Sequence, residues 1–329
     1  MRPARLLPAL LLGALVLAGC GGSAPAKFTN PVYRSDFPDP FVLRVGDTYW
    51  AYGTQGPEGN IQVLRSSDLV HWRRAGDALP QLPAWATSGN TWAPEVLRLR
   101  DGTFVLYYVA YATHVGRQCV GRAVARAPQG PFRDRASGPF VCQPDEGGSI
   151  DPDPFRDSDG SLYLLWKNDG NCCGKATYLY SQRLSADASR LVGRPARLLT
   201  ADQWQWEGSL IEAPTLWKEA GRYYLFFSAS VYNSPDYAVG YATCAGPLGP
   251  CKASPRNPIL KTTCRAAGPG HQAIVRAPDG REWLVYHAWP PDAIGASTPG
   301  CQLWIDRLEW KNGAPVVEGP TCGPQRAPS

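Results

Sequence analysis

The chain carries little charge and no run of one sign. Only 19% of its residues are charged, the net charge is +5, and basic residues form no run or stripe. That distribution offers no electrostatic footprint for a phosphate backbone and argues against nucleic acid as a partner. None of the ten cysteines stand as Cys-x-x-Cys, so the usual zinc spacing is absent. Neither Gly-x-Ser-x-Gly nor His-Glu-x-x-His occurs, which removes the serine-esterase and zinc-peptidase patterns. There is no acidic calcium loop, and no helical periodicity of useful length follows residue 20. The apolar run at 6–18, broken by Pro8 and Gly13, is too short to cross a bilayer comfortably.

That run follows Arg2 and Arg5 and ends in Gly19-Cys20, which reads as an export signal. Leu17-Ala18-Gly19-Cys20 resembles the lipobox of bacterial lipoproteins, which implies lipidation of Cys20 and a cell-surface protein anchored through lipid. Residues 20–29 then form a tether. In an exported chain the nine remaining cysteines are expected in disulfides, with one thiol left over. Cys244 and Cys251 bracket a short loop, and Cys119 and Cys142 suit neighbouring strands. Pairing among the other five stays open.

What the chain does contain is a repeat. Gly46-Asp47-Thr48-Tyr49-Trp50, Asp101-Gly102-Thr103-Phe104-Val105, Asp159-Gly160-Ser161-Leu162-Tyr163, Ala220-Gly221-Arg222-Tyr223-Tyr224 and Asp279-Gly280-Arg281-Glu282-Trp283 are each a turn followed by an apolar strand. The turns at Asp47, Gly102, Gly160, Gly221 and Gly280 lie 55, 58, 61 and 59 residues apart by subtraction. An even period with a hairpin in each copy is the signature of radially repeated four-stranded sheets, and a pair of immunoglobulin-like sandwiches does not explain it. The sequence therefore predicts an all-β, single-domain, five-bladed β-propeller over residues 30–318, with a tail at 319–329. Blade one divides at its turn residues into strands at 39–45, 49–54 and 61–66 and an outer strand beginning at His71.

In a propeller the innermost strands run along the axis, so side chains at their starts converge on one pocket. Those starts read Pro38-Asp39-Pro40-Phe41, Trp92-Ala93-Pro94-Glu95, Ile150-Asp151-Pro152-Asp153, Ile211-Glu212-Ala213-Pro214 and Gly270-His271-Gln272. Four present an acid and the fifth a histidine. Asp before Pro also forms turns, and Asp153 is read that way. Glycosidic bond hydrolysis needs two separated carboxyl groups, one giving a proton to the leaving oxygen and one working on the opposite face. Glu212, weakened as an acid by burial or by Asp151, suits the first role and an ionised Asp39 the second. Phe41, Trp92, Trp166 and Trp206 lie near the strand starts as sugar platforms, with Glu95 and His271 as further contacts; most other aromatics are read as core.

These motifs resemble glycoside hydrolase family 43, five-bladed propellers acting on arabinan and xylan, over Asn30 to about Pro315. The resemblance implies that Asp39 is the general base, that Asp151 adjusts the acid and orients substrate, and that Glu212 is the general acid of an inverting hydrolysis. Trp92-Ala93-Pro94-Glu95 is similar to a signature of the family. Gly268-Pro269-Gly270-His271 resembles arabinan-active members, in which this histidine lies on the axis near a metal, often calcium. No cofactor is otherwise implied. Cys301-Gln302 stands where many members carry an arginine. The expected activity is that of an α-L-arabinofuranosidase or arabinanase, working as a monomer on oligo- or polysaccharide. A β-xylosidase or galactosidase of the same family is the alternative, and a non-catalytic sugar-binding propeller the alternative of another class. Loops at 81–90, 168–175 and 231–237 are the expected sugar selectors.

Overall fold

The strand after each glycine turn is apolar on consecutive residues: Phe104-Val105-Leu106-Tyr107-Tyr108 in blade two, Leu162-Tyr163-Leu164-Leu165-Trp166 in blade three and Tyr224-Leu225-Phe226-Phe227 in blade four. Side chains alternate across a strand, so such a run must be covered on both faces. The computed structural model, which describes residues 27–57, 59–202 and 205–329, provides that cover by stacking sheets around an axis. Phe104, Leu106 and Tyr108 pack against blade one, while Val105 and Tyr107 pack against blade three. Leu164 and Trp166 face blade two, and Leu165 faces blade four. Tyr224 and Phe226 meet Leu284 and Tyr286 of blade five, whose Val285 turns to blade one. The apolar interior is thus a set of wedges between blades, which leaves the axis itself free for polar side chains.

Blade one is an antiparallel meander of Phe41–Val45, Thr48–Gly53, Gln62–Ser66 and Arg73–Asp77. The innermost strands of the other blades are Ala86–Arg98, Ser149–Arg156, Ile211–Glu219 and Ala267–Arg276. Four blades have four strands. Blade two has three, with isolated bridges at Val120–Val141 and Val124–Arg133 along its outer edge. The five-bladed all-β propeller expected from the repeat is the observed architecture. Gly46, Gly102, Gly160, Gly221 and Gly280 all have φ between 61° and 87°, conformations open to glycine at little cost, which is why the turn motif recurs.

The ends differ from the expected tether and tail. Lys27–Phe28 pairs with Gln325–Arg326. Asn30 Nδ2 donates to the Ile305 carbonyl at 2.8 Å, and the Ile305 N–H returns a bond to Asn30 Oδ1 at 3.1 Å. Residues 27–30 and 325–326 therefore help close the ring against blade five, satisfying backbone groups that a free segment would leave to water. Cys119–Cys142 and Cys244–Cys251 are bridged as the spacing predicts. Cys172–Cys173 and Cys264–Cys322 complete the set, and Cys301 is the buried thiol left over. The expected signal and Cys20 lie outside the described residues.

Candidate active site

Each innermost strand has one kinked residue, within it or just ahead of it. Asp39, Ala93, Asp151, Ala213 and His271 have φ of 54°, 43°, 52°, 51° and 50°. This left-handed region costs a residue with a Cβ about 1–2 kcal/mol, so the surrounding contacts must hold it. Side chains of the preceding blade do so by taking the kinked backbone N–H. Asp39 N–H donates to His287 Nδ1 at 3.0 Å, Ala93 N–H to Thr54 Oγ1 at 2.9 Å, Ala213 N–H to Asp151 Oδ2 at 2.9 Å and His271 N–H to Ser228 Oγ at 2.8 Å. Each clasp crosses a blade boundary, so the positions of the axial side chains depend on how the blades dock.

The kinks correct the equivalence read from the sequence. Asp39, Asp151 and His271 occupy the same place in their repeats, but Glu212 precedes its kink by one residue and Glu95 follows its own by two. Glu212 shares its place with Trp92, which is half-buried against Ala93 and Ile150. Glu95 sits deeper on the axis, against Asp153. Burial and the neighbouring acids push Glu95 well above the usual carboxylate range, and burial raises Asp153 against its hydrogen bonds from Leu216 and Glu95, so the pair holds a proton. Asp153 Oδ2 also accepts the Leu216 N–H at 2.9 Å, which makes it an axial fastener rather than a simple turn residue.

Asp39 is held from both sides. Its Oδ1 lies 3.1 Å from His271 Nδ1, and Thr54 Oγ1 donates to its Oδ2 at 2.5 Å. Burial opposes the charge, but the His271 cation and these hydrogen bonds overcome it and hold Asp39 well below the usual range. His271 moves the other way: burial disfavours its charge, yet Asp39, Asp151 and Glu212 raise it to about 9. His287 is pushed down to about 4, first by burial and then by the His271 cation. A neutral His287 that accepts at Nδ1 carries its proton on Nε2. The site thus contains one imidazolium and one imidazole, about 6 Å apart between ring centres.

Asp151 is pushed up to about 6, chiefly by burial, with Glu212 and Asp39 adding to the rise against His271 and Lys167. Glu212 is clamped on both oxygens. Lys167 Nζ donates to Oε2 at 3.1 Å and Tyr237 Oη to Oε1 at 2.8 Å. Lys167 is fully buried and also donates to Asn171 Oδ1 at 2.6 Å. Buried ammonium groups survive only when paired and hydrogen-bonded in this way.

The structure brings together Asp39, Asp151, Glu212 and His271, and places the aromatic platforms differently. Trp166 is buried, stacked on Tyr180 at 5.6 Å, with its Nε1 donating to Gln143; its side points to blade two, whereas the next residue, Lys167, points to the site. Trp206 stacks on Phe227. Phe41 lies two residues past the kink and packs beside Tyr52. Tyr232, 52% exposed on the 231–237 loop, has its phenol pKa raised first by burial and then by Cys301, Asp39 and Glu212, which places it near the cluster. Lys167, Tyr237, His287, Thr54 and Ser228 were missed. A lone Lys or His inside an apolar strand, as in Leu164-Leu165-Trp166-Lys167 and Val285-Tyr286-His287-Ala288, is the signal that could have found two of them.

Among the described residues, no three His, Cys, Asp or Glu side chains form a metal-binding group. His271 Nδ1 is engaged by Asp39 and so is not open to an axial metal ion.

Comparison with known proteins adds to this geometry. The profile of Glycosyl hydrolases family 43 matches residues 28–315. The chain is 27% identical to a β-D-galactofuranosidase of Aspergillus niger, over 79% of this chain and 76% of that one. It is 30% identical to a non-reducing-end α-L-arabinofuranosidase of Bacteroides ovatus, over 80% of this chain and 48% of that one. It spans only 56% and 57% of the length of two further curated relatives. The crystal structure of a thermostable family-43 glycoside hydrolase superposes with a TM-score of 0.83 at 33% identity, covering 92% of this chain and 99% of that one. With its five blades, its axial carboxyl cluster and a profile match over nearly the whole propeller, this chain belongs to glycoside hydrolase family 43 and is a glycosidase.

Proposed function

We propose that the protein is an inverting exo- or endo-acting α-L-arabinofuranosyl hydrolase, with Asp39 as general base and Glu212 as general acid. The observation that carries this reading is that Asp39, Asp151, Glu212 and His271, drawn from four blades, act on one another electrostatically at the converging ends of the innermost strands. Asp39, kept ionised by His271, takes a proton from water as the water oxygen attacks the anomeric carbon. The glycosidic bond breaks as Glu212 delivers its proton to the departing oxygen. The products are the free sugar with inverted configuration and the shortened chain. Glu212 returns to its starting state by taking a proton from solvent, and Asp39 by releasing one.

Asp151 has two parts in this scheme. Its Oδ2 accepts the Ala213 N–H and so fixes the backbone next to Glu212, and its carboxylate adds to the charge that keeps His271 protonated. Tyr237 and Lys167 orient the Glu212 carboxyl. Tyr232 supplies an exposed ring at the mouth for a sugar face. The relatives include a β-D-galactofuranosidase and an α-L-arabinofuranosidase and also a β-xylosidase, so the arabinofuranoside is the first substrate to try and the xyloside and galactofuranoside the next. Cys20 lipidation would hold the enzyme at the cell surface, where polysaccharide is met.

The test is kinetic. Asp39→Asn and Glu212→Gln are each expected to lower kcat/KM on a chromogenic α-L-arabinofuranoside by about 10³-fold or more, the scale of lost acid or base catalysis. Activity within a few fold of wild type in either variant would overturn the assignment. Faster turnover of the xyloside or galactofuranoside in the same screen would move the sugar while keeping the residues.

A further inference from the structure

The same repeat that places acids at one end of the axis places cations at the other. Five residues beyond each kink stand Arg44, Arg98, Arg156, Lys218 and Arg276, one per blade. Arg44, Arg98, Arg156 and Arg276 line a cavity of about 660 Å³ that includes none of Asp39, Asp151, Glu212 and His271. The volume is that of a small-molecule site.

The ring is neutralised on one side only. Lys218 pairs with Asp157 at 2.6 Å, and Arg276 pairs with Glu282 and with Glu219 at 3.6 Å. On the other side the one acid paired with Arg44 among the described residues is the exposed Asp47, at 3.8 Å. Among the described residues no carboxylate lies within ion-pair distance of Arg98, Arg100 or Arg156. Arg156 donates instead to the Arg98 carbonyl at 2.8 Å, and burial and the charge of Arg100 press on it in the same unfavourable direction. The two acids among the lining residues, Glu95 and Asp153, share a proton and so cancel at most one positive charge. Between the arginines the wall is apolar, with Phe41, Leu43, Leu97 and Phe155.

We propose that this distal mouth binds a carboxylate-bearing sugar, a uronosyl unit of an acidic polysaccharide. Planar guanidinium groups match a carboxylate bidentately. The C–H face of a pyranose ring suits Phe41 and Phe155, whereas a bare inorganic anion makes no use of that wall. The site lets the enzyme hold a charged stretch of a polymer while the opposite face works on neutral branches. It rests on the proposed polysaccharide substrate for the identity of its ligand.

The intact protein is titrated calorimetrically with trigalacturonate at low and moderate salt. Wild type is expected to bind, to bind several-fold more weakly at moderate salt, and to lose about tenfold or more in affinity in Arg98→Gln/Arg156→Gln, as charge-assisted contacts require. Arabinofuranoside turnover by that variant stays within twofold of wild type. If the double variant proves unstable, Arg44→Glu at the rim provides the same test. Equal affinity in wild type and variants, equal binding of an uncharged galactose trimer, or displacement by equimolar phosphate overturns the inference. Absence of arabinofuranoside turnover in wild type, with trigalacturonate binding intact, counts against the proposed function alone.

Discussion

The two ends of the axial channel are built by the same five strands and solve opposite electrostatic problems. At one end Asp39, Asp151 and Glu212 crowd together, and the fold answers with a His271 cation and a fully buried Lys167. At the distal end Lys218 and Arg276 are answered by Asp157, Glu219 and Glu282, while among the described residues Arg98 and Arg156 have no acid within ion-pair distance. Crowded, compensated charge fixes side chains and shifts their protonation; uncompensated charge at an open mouth waits for a counter-charge. The kink between them matters because it lets one strand present a backbone-clasped side chain at its start and ordinary alternation a few residues later.

The comparison breaks most severely at Lys167. Lys167→Met removes the cation that clamps Glu212 and leaves a buried carboxyl with Tyr237 alone. It should lower kcat/KM by about 10²–10³-fold with a smaller change in KM, measured by steady-state kinetics on a chromogenic substrate. Trigalacturonate binding at the far mouth should not change.

Next is His271→Gln, which takes the cation from Asp39. A fall of about 10–100-fold in kcat/KM is expected, and the alkaline limb that His271 sets near pH 9 should disappear from the profile. Stability gives an independent check of sign. The folded pKa of His271 is raised from 6.5 to about 9, so its pairing stabilises fully below about pH 6.5 and that gain is lost as pH rises through about 9. Asp39 is depressed, so its share is present above about pH 4 and lost as pH falls further. The stability difference between wild type and variant in urea titrations should therefore be largest between about pH 4 and 6.5 and shrink towards pH 10; a difference that grows with pH would refute the ion pair.

A smaller effect is expected where the kink is held. His287→Phe leaves the buried Asp39 N–H without an acceptor and should cost about 1–3 kcal/mol of stability, seen as a lower denaturation midpoint. The same substitution should lower kcat, because the base is positioned by that N–H, and leave the distal mouth untouched. Smallest of all, Gly102→Ala meets no atom within 4 Å but must adopt φ +84°, so it should cost about 1 kcal/mol with unchanged kinetics.

The blades and most of the side chains that meet on the axis were legible because both are local. A glycine turn with left-handed φ and a strand apolar on both faces leave their mark in consecutive residues, as at Gly160-Ser161-Leu162-Tyr163. Asp39, Asp151 and His271 could be found because the repeat aligns them. Glu95 could not be separated from them, since Trp92-Ala93-Pro94-Glu95 and Ile211-Glu212-Ala213-Pro214 look alike until the kinks at Ala93 and Ala213 show that one acid follows and the other precedes. Trp166 was misread for a similar reason: a single step along the strand decides whether a side chain meets blade two or Glu212. The arginine ring was invisible as a charge pattern, because its members are more than fifty residues apart in the chain.

By itself, then, the sequence determined the number of blades, the turns between strands, the family and the acids and histidine that meet on the axis, because repeat period, alternation and motif are properties of neighbours along the chain. Only the tertiary structure decided which imidazole is charged, which lysine clamps Glu212, and that the far mouth is lined with cations. Those outcomes depend on burial and on distances across blade boundaries, where groups separated by tens to hundreds of residues come within hydrogen-bond reach.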